Sequence, residues 1–421
     1  MIGNVISTPP HLHGSANRVV KIHSSAPNVT DRQINHLDQA LGELVPGYLY
    51  RAEPTIPPAW FQSPTDTAQP STWQDGTPAQ TGQISPRHPF LKYTGRILPR
   101  PGQASVAFTW SGTQIEARFH GPSVAIHLEA ENHCFNIVID GDFANMRAVR
   151  VQGRQLISLA EDLPDGAHDL FVFLRTSVVL CPVGFHGLSL AAGYGLAPPP
   201  PRPTRRIEFI GDSITSGQAA GMPEGYHGPE TGDDQNKDNV WLAYSSLTAL
   251  ALGAEAHYIA WPGIAMASGR GYTGAISKPA AWLKTLPTSS PDFPDSPNWD
   301  SSAWQPHVVV INLLQNDQSA DPVDNDHLSR DAYLNFLKAV LHRYGPGVPI
   351  LCVAGNMSLS SSAFYKQALA DAVASFRTDT AHPSVATLIF APKTTGGHPR
   401  ISEHRAMADN LIPAIRQIMG W

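Results

Sequence analysis

In the stretch "IEFIGDSITSG", an apolar run stops at Gly211-Asp212 and delivers Ser213 into a small polar turn. A serine in that place either caps a helix or is a nucleophile at the carboxyl end of a strand, where open α/β sheets carry their active sites. Serine is a weak nucleophile by itself, so the second reading needs a base and donors for an oxyanion. The segment "GGHPRISEHRAMADNL" offers His398 as base, in a turn that Pro399 stiffens before the closing helix. His404 falls inside that helix and reads as packing or solvated. "INLLQND" ends a buried run with Asn316, whose amide can point into a site, although Asn-Asp is also ordinary turn chemistry. Asp317 beside it reads as structural. "YIAWPGIA" brings Gly263, either a turn glycine or a bare N–H that can approach a substrate. Each motif alone is weak. Four of them in this order, each at an expected strand end, describe acyl transfer.

The elements that must carry these residues lie after the polyproline stretch Pro198 to Pro203. Strands read at "IEFI", "AEAHYIA", "HVVVINLL", "PILCVA" and "VATLIFA". They alternate with helices at "DNVWLAYSSLTALAL", "SRDAYLNFLKAVLHRY", "SAFYKQALADAVASF" and "SEHRAMADNLIPAIRQIM". That alternation predicts a parallel sheet covered on both faces, an α/β domain over 207–421. Ahead of it, residues 89–196 show period two: Val106, Phe108 and Trp110, then Ile115, Ala117 and Phe119, then Val124, Ile126 and Leu128. Such short strands with Gly-containing turns predict an antiparallel β-sandwich. Residues 197–206 form a stiff Pro-rich linker, short enough to set the sandwich beside the strand ends as a wall of the cleft. Residues 1–88, rich in Pro, Thr, Ser and Gln, read as an irregular extension.

The bulk properties narrow the chemistry. The chain has 421 residues, 15% of them charged, and a net charge of −6, with no basic stripe for nucleic acid. Cys134, Cys181 and Cys352 lie far apart in apolar runs and read as buried free thiols. No cluster has metal-ligand spacing, so no metal and no cofactor are expected. No segment reaches the length of a membrane span, and the start lacks a basic n-region, so the chain reads as soluble and not exported. Two sequons, at Asn28 and Asn356, match the glycosylation pattern. Nothing here speaks to the oligomeric state.

The second domain resembles the SGNH, or GDSL, hydrolases. Their blocks appear as Gly211-Asp212-Ser213, Gly263, Leu314-Gln315-Asn316-Asp317 and Thr395-Gly396-Gly397-His398-Pro399. A jelly-roll sandwich ahead of such a domain resembles carbohydrate esterase family 2. The resemblance implies a three-layer α/β/α domain and a serine esterase that removes O-acetyl groups from a polysaccharide. It implies Ser213 as nucleophile and His398 as base, with the Ser213 N–H, Gly263 N–H and Asn316 side chain as the oxyanion hole. Trp261 is then placed to stack on a sugar ring, or else packs at the sheet end.

Two departures stand out. Leu314 replaces the family's Gly, which costs about 1–2 kcal/mol if the position needs positive φ. Thr395 replaces the Asp before the His, so the resemblance implies a Ser-His dyad. A backbone carbonyl in or near the Thr394 to Gly397 turn then accepts the His398 Nδ1 proton, giving the base a lower kinetic pKa. Glu403 is the nearest acid in sequence but must fold back from its helix to serve. Two other readings stay open: a decayed site that only binds carbohydrate, and a GDSL esterase or lipase of other specificity.

Overall fold

The computed structural model describes residues 82–100, 102–177, 182–224, 230, 238–273, 276–287, 296–319, 326–382, 384–393 and 396–421. Cys181, Asn28, Thr394, Thr395 and nearly all of the extension lie outside the described residues.

The period-two region folds as ten antiparallel strands in one hydrogen-bonded sheet. These are β1 (Gln83–Ile84), β2 (Lys92–Thr94), β3 (Leu98–Pro99), β4 (Val106–Phe108), β5 (Gln114–His120), β6 (Val124–Ile139), β7 (Arg147–Ala160), β8 (Ala167–Leu174), β9 (Val183–Leu190) and β10 (Leu196–Ala197). β1 pairs with β9 and so joins the sheet ahead of residue 89. The sheet is continuous because β6 serves both halves of it. Its first part pairs with β9 and its last part with β8, while β7 follows it along its length. A register shift between Glu131 and His133, with Asn132 at φ 65°, marks the bend. The alternating residues Ile115, Ala117, Phe119, Val124, Ile126 and Leu128 then meet in one apolar core.

Five parallel strands follow: β11 (Arg205–Gly211), β12 (Ala254–Ala260), β13 (Val308–Asn312), β14 (Ile350–Ala354) and β15 (Val385–Ile389). Their order in the sheet is β12-β11-β13-β14-β15. The helices are α1 (Tyr244–Ala251), α2 (Lys278–Leu283), α3 (Asp326–Tyr344), α4 (Ser358–Ser361), α5 (Ala363–Thr380) and α6 (Ile401–Met419). Tyr244 and Leu247 of α1 share a core with Met407 and Leu411 of α6. Phe336 and Leu337 of α3 share another with Leu369 and Phe376 of α5. Strands β12, β13 and β14 are buried along their whole length, which is why they read as continuous apolar runs rather than alternating ones. The chain order reverses between β11 and β13, so the crevice outside their carboxyl ends is where such a sheet binds ligands. The short helices α2 and α4 carried no sequence signal, because one or two turns show no hydrophobic period.

The antiparallel domain lies against β12, an edge strand, and against the turn Val240–Leu242 that leads into α1. Gly95 N–H donates to His257 Nε2 of β12 at 3.1 Å. Arg96, fully buried, pairs with Glu208 of β11 at 3.0 Å, and Trp282 Nε1 and Tyr344 Oη donate to the same carboxylate. Trp241 inserts among Phe143, Phe171 and Phe173. A buried ion pair is secure only while every partner stays in place. The two domains therefore share one interior.

Candidate active site

Ser213 stands directly beyond β11, in a tight turn rather than a helix. Asp212 shapes that turn by accepting from Ile214 N–H at 3.0 Å, and Gln218 N–H closes onto the Ser213 carbonyl at 2.9 Å. Thr215 ties it to α1 through Tyr244 Oη at 2.9 Å. Burial raises the Asp212 carboxyl, only partly offset by the Ile214 N–H, to about 6. The Ser213 hydroxyl lies 2.9 Å from His398 Nε2. The two side chains thus meet across 185 positions of sequence.

What faces the other side of the ring differs from the sequence reading. His398 Nδ1 is 2.6 Å from the carboxylate of Glu230. The His398 backbone N–H donates to the same carboxylate at 2.9 and 3.0 Å, and Arg400 Nη1 binds its Oε1 at 2.7 Å. The expected acceptor, a carbonyl of the 394–397 turn, is not the group at Nδ1. The Gly396 and Gly397 carbonyls accept from Lys393 Nζ instead, at 2.9 and 2.8 Å. Burial alone raises the Glu230 carboxyl; the His398 side-chain hydrogen bond and charge, with Arg400 and the His398 N–H, outweigh it and hold it near 2. The premise of a weakly backed imidazole therefore falls away. Glu403 is engaged elsewhere, accepting from the Arg400 N–H at 3.0 Å as a helix cap. His404 is fully buried, receives the Tyr244 N–H on Nδ1 at 3.2 Å, and is pushed by burial down to about 3. It packs, as expected, and stays neutral.

The donors come from the next two strand ends. Gly263, after β12, sits at φ 76°, a conformation that favours glycine, and a side chain there would press within 2.9 Å of Tyr272 Cβ. Among the described residues, the N–H groups of Ser213 and Gly263 donate to no protein acceptor. Asn316, beyond β13, points its Nδ2 at the Ile264 carbonyl (3.0 Å) and, more loosely, at Asp212 (3.3 Å). Asp317 accepts from the Met266 and Ala267 N–H groups at 2.9 and 3.0 Å. It ties the Gly263 loop to the Asn316 turn.

Leu314 has φ 84°, so the conformation that the family's glycine allows is kept with a leucine in it. The strain costs about 1–2 kcal/mol. Its side chain is fully buried beside Leu313 and Ile311, and removing a buried leucine costs about 2–5 kcal/mol. On the central values burial wins, so Leu314→Gly is expected to lower stability by about 2 kcal/mol. Urea unfolding measures it; a more stable variant would show that strain dominates.

Trp261 does not offer a sugar platform. It is 6% exposed and packs with Trp110, Ile259 and Trp282 in the core under α3 and α5. The exposed ring beside the site is Tyr272, 81% exposed, which the sequence reading passed over. Glu230 was missed because it stands in the polar, Gly-rich stretch "EGYHGPETGDDQNKD", which has no periodicity. The one available signal was a long stretch of sequence without helix or strand pattern soon after Ser213, the kind of segment where function concentrates. Asn356 of the second sequon is 3% exposed, too buried to accept a glycan. Cys134 and Cys352 are buried and form no disulfide with each other. Among the described residues, no group of three or more acidic, His or Cys side chains could hold a metal, and no helix is long and apolar enough to cross a membrane.

The family description "Carbohydrate esterase 2 N-terminal" matches residues 93–200. The chain is 31% identical over 344 residues to the cellulase/esterase CelE of Acetivibrio thermocellus, covering 79% of this chain but 40% of that protein. It is 24% identical over 355 residues to an acetylxylan esterase / glucomannan deacetylase of Cellvibrio japonicus, covering 82% of this chain and 93% of that one. Among solved structures, a family two carbohydrate esterase from Clostridium thermocellum in complex with cellohexaose superposes with a TM-score of 0.68 at 28% identity, over 79% of this chain and 99% of that chain. The chain is a relative of the family two carbohydrate esterases.

Proposed function

We propose that the protein is a serine esterase that removes O-acetyl groups from carbohydrate through an acetyl-enzyme. The observation that carries this reading is the hydrogen-bonded line from Ser213 Oγ through His398 to Glu230, 2.9 and 2.6 Å. The relatives named as acetylxylan esterases supply the substrate class. Ser213 Oγ attacks the acetyl carbonyl while His398 Nε2 takes its proton. Glu230 keeps Nδ1 protonated and stabilises the imidazolium that forms. The Ser213 and Gly263 N–H groups receive the oxyanion, and Asn316 turns its looser Nδ2 contact from Asp212 toward it. His398 then returns the proton to the departing sugar oxygen. Water repeats the sequence on the acetyl-enzyme and releases acetate. No step calls for a metal or a cofactor. Tyr272, next to Gly263, takes the stacking role first considered for Trp261.

On this reading the antiparallel domain is a jelly-roll running from β1 to β10, the linker is 198–204, and the α/β domain is 205–421. The open test is turnover of 4-nitrophenyl acetate. Wild type should hydrolyse it and Ser213→Ala should lose at least about 10³-fold in kcat. Unchanged turnover in Ser213→Ala would overturn the serine mechanism. Absence of turnover in wild type, with carbohydrate still bound, would favour a decayed binding protein.

A further inference from the structure

Arg400 sits at the N-terminus of α6, where the helix dipole disfavours a cation. Its side chain is 1% exposed, so burial disfavours the charge as well. Something specific must offset both. One nitrogen, Nη1, donates to Glu230 Oε1 at 2.7 Å and to the His398 carbonyl at 3.0 Å. The same cation therefore grips the acid and the turn that carries the base. Beside it, Gly397 has φ 69°, and a methyl group there would come within 2.1 Å of Glu230 Oε1. The carboxylate has little freedom to step aside, because the His398 N–H, the His398 Nδ1 and Arg400 all hold it.

We propose that Arg400 is a positioning residue that fixes Glu230 against His398 Nδ1, with Gly397 as the gap that admits it. Together they install an acid from a distant segment where position 395 offers none. An Asp three residues before the His is placed by its own turn. Glu230, 168 residues away, is placed by tertiary contacts. The rigid fork of a guanidinium suits that task, and a lysine point charge does so less well. Glu224 adds a second anchor, accepting from Ser402 N–H and Oγ at 2.8 and 3.0 Å at the same helix start. This inference rests on the catalytic reading of Ser213, His398 and Glu230.

The test is kcat and KM on 4-nitrophenyl acetate for Arg400→Met, Arg400→Lys and Gly397→Ala, each made in the wild-type and in the Glu230→Gln background. Arg400→Met should lower kcat by about 10²-fold, the cost of an acid displaced by about 1 Å, with KM little changed. Arg400→Lys should recover part of that loss. In the Glu230→Gln background both Arg400→Met and Gly397→Ala should cost almost nothing, because the residue they position is already gone. Proton NMR should show the hydrogen-bonded Nδ1 proton far downfield in wild type and Arg400→Lys, and not in Glu230→Gln. If Arg400→Met does not fold, Arg400→Lys and Gly397→Ala carry the same comparison. Equal losses in both backgrounds, or lowered stability with kcat intact, would overturn the proposal. Full activity in Ser213→Ala would instead overturn the reading beneath it.

Discussion

Glu230→Gln is expected to lower kcat by about 10⁴-fold, the effect of neutralising a triad carboxylate. The amide keeps the volume but no longer opposes the charge on the imidazolium, and it can present N–H rather than oxygen to Nδ1. KM for a small acetyl ester should hardly move, since Glu230 lies behind the ring and not against the substrate. Glu403→Gln should leave the rate nearly unchanged, because that carboxylate caps a helix. The same pair separates in acid. A carboxyl lowered from 4.5 to about 2 in the folded protein stabilises it fully above 4.5, and that stability is lost as pH falls toward 2. Wild type should therefore lose stability across this window more steeply than Glu230→Gln. If the wild-type and Gln proteins share kcat, the Ser213–His398 dyad works without an acid.

Asn316→Ala should reduce kcat by about 10²–10³-fold with little change in KM, the signature of a donor that acts only on the developing oxyanion. Its resting contacts sharpen the expectation. The bond to the Ile264 carbonyl at 3.0 Å holds the amide in place, and the 3.3 Å contact to Asp212 is the one an oxyanion displaces. Asp317→Asn, by contrast, should lower stability first, since it loses charge-assisted bonds to the Met266 and Ala267 N–H groups. A KM effect alone in Asn316→Ala would return that residue to a turn role.

The parts of this site legible in the sequence are those whose signal is local. Phe108, Phe119 and Ile126 declare a strand face by period two, and Ser213, Gly263, Asn316 and His398 declare themselves because each ends a strand or opens a helix. Three things were not local. Glu230 acquires its role from Arg400, Gly397 and His398, which lie far along the chain. Trp261 and Tyr272 are both aromatics near Gly263, and only the packing of the core tells the buried one from the exposed one. How the strands join was not legible either, because β6 pairs with β9 before Asn132 and with β8 after it, which no local pattern announces. Leu314 is an intermediate case: its strain was legible as a possibility, and the φ of 84° makes it a fact.

Mass spectrometry of the acid-quenched enzyme during turnover of an acetylated xylo-oligosaccharide tests the mechanism at its centre. The expected result is one acetyl group on the peptide bearing Ser213, accumulating with released acetate and absent in Ser213→Ala. Acetate release that persists in Ser213→Ala, or an acetyl group on another residue, would contradict it.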